Sequence, residues 1–149
     1  MGYTERLSEQ LAVVATIDPA SLTANTYLTD AIDMKLHRRV LFIIAVGALT
    51  SSNTTDFSVV GDTASGGSYA TTITGKTITQ LTKAGSDDNK QVLVEVTAEE
   101  VAAQGLRYIK GSLVTAAAAA LGCVVALADS TRYGPASDYD LASVDEIVG

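Results

Sequence analysis

The sequence predicts an all-β fold, a jelly-roll-like antiparallel β-sandwich with extended N- and C-terminal arms, on three observations. Thr, Val and Ile recur throughout the chain, and β-branched side chains suit a pleated, half-buried surface. Residues 76–81 and 91–96 alternate with period two, the pattern of strands with one face on a core. Gly, Pro and Asp punctuate the chain between apolar runs, as turns between short strands require. The 149 residues suit one domain that buries about 70% of its unfolded surface without staples. Within it, residues 1–25 read as an N-terminal strand or arm, 26–129 as the sandwich body and 130–149 as a C-terminal arm.

Residues 11–17 form the first expected strand, closed by Asp18-Pro19 because proline removes a ladder donor. Strands follow at 27–34 and 37–46. The run Val40-Leu41-Phe42-Ile43-Ile44-Ala45-Val46 is apolar at every position, as in a central strand covered on both faces. From 56 to 82, strands alternate with glycine turns, and Ser65-Gly66-Gly67-Ser68 is an exposed tip. Residues 76–81 and 91–96 are read as a hairpin around the acidic loop Gly85-Ser86-Asp87-Asp88-Asn89. Thr97 with Glu100 has capping-box spacing, so 98–104 is expected as one helical turn ended by Gly105. Residues 106–115 form a strand. The five alanines 116–120 are too few for an isolated helix and read as a tight turn, with 121–128 as the return strand. About eight strands with no internal repeat favour a sandwich or jelly roll over a propeller or solenoid.

The formal net charge of −7 argues against a nucleic-acid partner, because phosphate contacts need a basic face. The charge is also segregated. Residues 31–128 hold eight basic and eight acidic side chains, whereas residues 1–30 sum to −3 and 129–149 to −4. This is the pattern of a neutral body with acidic extensions. A hydrophobic fraction of 47% excludes a chain disordered throughout. The first residues lack the basic start and continuous apolar stretch of a secretory signal, so export by that route is not expected. The apolar runs 40–49 and 113–128 are short for a membrane span; buried strands account for both, and no membrane partner is expected.

The candidate chemistry is sparse. Thr74-Gly75-Lys76-Thr77 ends like a phosphate-binding loop, but Ala70 stands where the first glycine belongs and a strand pattern follows; the stretch reads as a hairpin turn. His37 is the sole imidazole, beside Arg38 and Arg39, with no nucleophile motif to serve. It reads as a polar strand-entry residue. Asp87-Asp88-Asn89 lacks EF-hand spacing and reads as a solvated turn, and Asp138, Asp140, Asp145 and Glu146 as a solvated or partner-facing end. Cys123, the single cysteine, excludes an internal disulfide and a multi-cysteine metal site; it packs as a small hydrophobe. Asn53-Thr54-Thr55 matches a glycosylation sequon. No catalytic, cofactor or metal site is assigned, and the expectation is a non-enzymatic β domain.

The blocks Gly75-Lys76-Thr77-Ile78-Thr79-Gln80-Leu81, Asp87-Asp88-Asn89-Lys90-Gln91 and Leu106-Arg107-Tyr108-Ile109 resemble a family of small head proteins of tailed bacteriophages. The end of the chain, Arg132-Tyr133-Gly134-Pro135-Ala136 with Ser137-Asp138-Tyr139-Asp140-Leu141, is similar to the same family. The resemblance covers roughly residues 30–148 and rests on the order of the blocks, none of which is a catalytic fingerprint. It implies a decoration, or cement, protein: a β-sandwich on the outer surface of an assembled icosahedral capsid, with the major capsid protein as partner, tying neighbouring capsomers together. Such proteins commonly act as homotrimers, and dimers also occur. The charged, aperiodic ends 1–25 and 130–149 are then expected to carry the contacts, with Tyr133, Pro135, Tyr139, Leu141 and Ile147 at the interface; the alternative is that these ends only cover their own domain. A rival reading is a virion-displayed module, tail-associated or binding host-surface glycans. No Trp, two Phe and six Tyr leave few aromatic platforms for sugar.

Overall fold

A computed structural model of the chain describes residues 7–129 together with 143, 144 and 146. In chain order the elements are α1 (Leu7–Gln10), β1 (Leu11–Leu22), β2 (Asn25–Leu28), β3 (Ile32–Asp33), β4 (Arg39–Val46), β5 (Thr54–Asp62), β6 (Thr71–Thr77), β7 (Leu81–Thr82), β8 (Gln91–Thr97), α2 (Ala98–Ala103), β9 (Tyr108–Ala116) and β10 (Ala120–Asp129). They make an all-β sandwich. Sheet A has the strand order β1-β10-β4-β8 and sheet B the order β2-β9-β5-β6, with the two-residue strands β3 and β7 added to β9 and β5.

The pairing explains the architecture. β1 pairs with β10, β2 with β9, β4 with β8 and β5 with β6, all antiparallel. The first four of these eight strands thus run back along the last four as one long ribbon. Wrapping that ribbon adds the contacts β10–β4 and β9–β5 and produces a jelly roll. The edges of a single ribbon are thereby joined into two sheets, each with one apolar face to bury against the other.

The core sits between the sheets and follows strand alternation. In β4, Val40, Phe42, Ile44 and Val46 point inward and are buried. β5 answers with Phe57 and Val59. The Phe42 and Phe57 rings meet at 5.5 Å between centroids, tilted by 52°, an arrangement aromatic pairs favour. Gly111 in β9 lets the backbone approach this pair: a Cβ there would lie 2.9 Å from Phe57 Cε2 and 3.1 Å from Phe42 Cε1. Along β1 and β10 the inward residues include the alanines Ala12, Ala15, Ala126 and Ala128 beside Ile17, Leu22 and Val124, all buried.

Several sequence expectations hold and several change. The capping box forms as expected: Glu100 N–H donates to Thr97 Oγ1 at 3.3 Å and Thr97 N–H to Glu100 Oε2 at 2.9 Å, and Gly105 ends α2 with φ of 71°. The alanine run is a tight turn, with Ala117 at φ of 66°, but the strand after it joins the opposite sheet. Residues 27–34 do not form one strand. β2 stops at Leu28, and Thr29, bonded through its N–H and Oγ1 to Gly111, separates it from β3. The first strand does not end at Asp18-Pro19; register shifts after Val13 and Ile17 carry β1 past the proline to Leu22, because an edge strand can do without that donor. The hairpin expected between 76–81 and 91–96 is absent. β6 pairs with β5 in sheet B and β8 with β4 in sheet A, so the acidic loop crosses between sheets. Finally, β4 is central within its sheet, but Leu41, Ile43 and Ala45 on its outer side are only half-buried.

The Phe57→Ala variant is expected to lose about 3–5 kcal/mol of stability, by removal of a fully buried ring. Gly111→Ala is expected to lose about 1–3 kcal/mol by overpacking the same spot. Urea unfolding followed by circular dichroism checks both, and an unchanged midpoint for Gly111→Ala would show that the aromatic pair is not tightly held.

Candidate interaction surface

The outer side of sheet A carries a row of apolar side chains. Because the 40–46 run is apolar at every position, inward alternation leaves Leu41, Ile43 and Ala45 pointing out. Strand register places them in rows: Leu127, Leu41 and Glu95; Val125, Ile43 and Leu93; Cys123, Ala45 and Gln91. Leu93 is 62% exposed and Leu121 53% exposed. Two shallow clefts open on this side. One of about 170 Å³ lies between Leu11, Arg39, Leu41, Glu95, Leu127 and Asp129, and one of about 420 Å³ is lined by Pro19, Ser21, Ala45, Leu121 and Cys123. At the β1 margin, Thr16 Oγ1 donates to Ser143 Oγ at 2.8 Å.

Polar groups cluster where the ribbon changes sheet. Asp129, the last residue of β10, accepts the N–H groups of Arg38 and Arg39 on Oδ1 at 3.0 and 3.1 Å. His37 is buried with Nδ1 3.2 Å from the Asp129 carbonyl. The imidazole is thus bound to the main chain at the entrance of β4, as expected of a strand-entry residue. Asp33 on β3 receives Arg107 in a bidentate pair, Nε to Oδ1 at 2.9 Å and Nη2 to Oδ2, and the Arg107 guanidinium lies over the Tyr108 ring at 4.7 Å. The arginine's hydrogen bonds hold the Asp33 carboxyl below the usual carboxylate range.

Each motif with apparent chemistry has a structural occupation. Lys76 donates through Nζ to the Glu95 carbonyl and pairs with Glu100 Oε1, both at 2.7 Å; its bond keeps the Glu100 carboxyl low. The stretch 74–77 is therefore strand rather than the hairpin turn expected, with Gly75 at φ of 75° and its lysine spent across the β6–β8 seam. Asp62 accepts the N–H groups of Ala64 and Tyr69 at 3.2 Å each, which close the 65–68 tip and lower its own pKa. Burial raises the pKa of the Tyr69 phenol, and the ring carries Lys110 Nζ at 4.7 Å from its centroid. Asp88 pairs with Lys83 at 2.6 Å and accepts Leu49 N–H at 2.7 Å; both, the lysine first, lower its pKa. Asp87 Oδ2 accepts Thr82 N–H at 2.9 Å, so the acidic loop is tied at both carboxylates rather than simply solvated. Asn53 of the sequon is 1% exposed and gives Nδ2 to the Ala118 carbonyl at 2.6 Å, which leaves no room for a glycan. Among the described residues no three His, Cys, Asp or Glu side chains are grouped to hold a metal ion, and no helix is long and apolar enough to cross a membrane.

Tyr133, Pro135, Tyr139, Leu141 and Ile147, the expected interface residues, lie outside the described residues, as do Asp138, Asp140 and Asp145; Glu146 is exposed. The outward apolar side of sheet A was not anticipated, although the uninterrupted 40–46 run carries its trace. No protein-family model matches the chain, and no curated protein matches it. Among solved structures, a chain from the structure of infectious bursal disease virus Gx strain aligns with 12% identity and a TM-score of 0.39, over 85% of this chain. This chain spans 34% of the length of that one. A likeness so distant carries no argument about function.

The four lowered carboxyls set the response to acid. Their folded pKa values lie below their unfolded ones, so the stability they contribute is present above the ordinary carboxylate range and is lost as pH falls through the lowered values. Urea midpoints are expected to fall steeply below about pH 4, and Asp33→Asn to flatten part of that slope. An identical slope in the variant would show that the Arg107 pair contributes nothing.

Proposed function

We propose that the chain is a non-enzymatic structural protein of a virion, of the decoration or cement kind, which docks on the outer surface of an assembled icosahedral capsid and clamps neighbouring capsomers. The observation that carries this reading is the ordered series of phage-head-like blocks in the sequence. Residues 75–79 and Leu81 of the first block line a groove of about 470 Å³ between β6 and β8, together with Val92, Leu93, Val94 and Glu95, and Tyr108 and Ile109 of the third begin β9.

Two physical features support it. The polar side chains that could serve chemistry are engaged in holding loops and strand ends, which suits a scaffold. The body is neutral and the ends acidic, which suits docking on a basic outer surface and keeps the protein from the packaged genome. A clamp that touches several subunits gains from effective concentration, so modest contacts add up to firm attachment.

Mixing the purified chain with shells that lack it, followed by cryo-electron microscopy, is expected to show density over capsomer junctions. Binding is expected to weaken as ionic strength rises toward about 1 M, where screening is complete within about 3 Å. Density confined to the tail, or inside the shell against DNA, would overturn the proposal.

A further inference from the structure

Jelly-roll sheets have edges, and unpaired edges invite another strand. Three of the four edges here are blunted. β1 carries Pro19 and two register shifts; β2 has only four residues; β6 has a register shift and the left-handed Gly75. β8 is different. Its seven residues, Gln-Val-Leu-Val-Glu-Val-Thr, contain no Pro, Gly or Lys, and its register with β4 is unbroken from Arg39↔Thr97 to Ala45↔Gln91.

The direction of its open backbone groups follows from the flanking bonds. Ala98 N–H donates to the Arg38 carbonyl at 2.8 Å and Val46 N–H to the Lys90 carbonyl at 3.0 Å. Even-numbered residues of β8 therefore exchange bonds with β4, and odd-numbered ones turn theirs outward. The outward set is capped at one end: Thr97 N–H is taken by the Glu100 carboxylate and the Glu95 carbonyl by Lys76. Among the described residues, both groups of Gln91 and Leu93 and the N–H of Glu95 are open, and the Glu95 carbonyl retains a second lone pair. The β6–β8 groove opens beside this edge.

The open stretch is self-complementary. We propose that two copies of the chain pair through β8, antiparallel, about a two-fold axis at Leu93, so that sheet A continues from one copy into the other. In this register Leu93 meets Leu93 of the second copy, and Gln91 meets Glu95, twice. Val92 and Val94, both half-buried, meet each other on the inner side. The pairing accounts for an exposed leucine at the centre of a polar outward row, since its cross-strand neighbour becomes the same residue. It holds whether or not the chain binds a shell.

Sedimentation equilibrium of the full chain over a concentration series tests it. The wild type is expected as a monomer–dimer equilibrium. Leu93→Lys, at an exposed site, is expected to keep its circular dichroism spectrum and raise the dimer dissociation constant by about tenfold or more, because two like charges meet at the axis. Gln91→Lys is expected to tighten the dimer by roughly threefold and Gln91→Glu to loosen it as much, since each change creates two cross-strand charge pairs with Glu95. A wild type that stays monomeric or forms trimers, a dimer indifferent to Leu93→Lys, or shifts of the same sign for the two Gln91 variants would overturn the pairing.

Discussion

The contact between Phe42 and Phe57 is the constraint on which the sandwich depends. They are the only two phenylalanines in the chain, and there is no tryptophan. Each sits at the centre of its sheet, on β4 and β5, and both are buried to within 1%. Large buried rings contribute a disproportionate share of transfer free energy, so a core otherwise made of Val, Ile, Leu and Ala is organised around one aromatic contact. Gly111 is its counterpart in β9, where the missing side chain lets the backbone approach the two rings.

The same geometry explains where the charged groups went. A ribbon wrapped into two sheets must cross between them several times, and each crossing leaves backbone donors outside any ladder. Asp129 covers the entrance to β4 and Asp87 and Asp88 the loop into β8, while Asp62 does the same within sheet B, at the tip between β5 and β6. Asp33 and Arg107 pin β3 to the approach to β9. These carboxylates and their partners make up much of the neutral body's charge. The histidine and the aspartate pair, which look chemical in one dimension, lie at crossings in three, and the lysine of the glycine run reaches from β6 to a β8 carbonyl; all of them serve main-chain atoms.

Local signals were legible in the sequence, and pairing was not. The capping box, the alanine turn and the apolar strand at 40–46 follow from propensity and spacing over a few residues. Period-two alternation identifies a strand but not its neighbour, so residues 76–81 and 91–96 look like a hairpin although their partners lie in different sheets. An apolar run at every position cannot distinguish a strand covered on both sides from one whose outer side is left half-exposed. Pro19 misleads because its cost depends on whether the strand is an edge. The expected interface residues, from Tyr133 to Ile147, lie beyond the described part of the fold, and the outer side of sheet A has only the uninterrupted 40–46 run as its trace in the sequence.

Charge also bears on which edge can meet a second copy. The body from 31 to 128 is neutral, so two bodies can approach without a long-range barrier, while the acidic ends repel their counterparts. Ser143 is bonded to Thr16, on β1, and β1 and β8 are the opposite edges of sheet A. Three strand spacings of about 4.8 Å separate them, or roughly 14 Å, beyond the Debye length of about 8 Å at physiological ionic strength. Association through β8 therefore leaves the Thr16–Ser143 contacts of the two copies far apart, whereas pairing through β1 would bring them together.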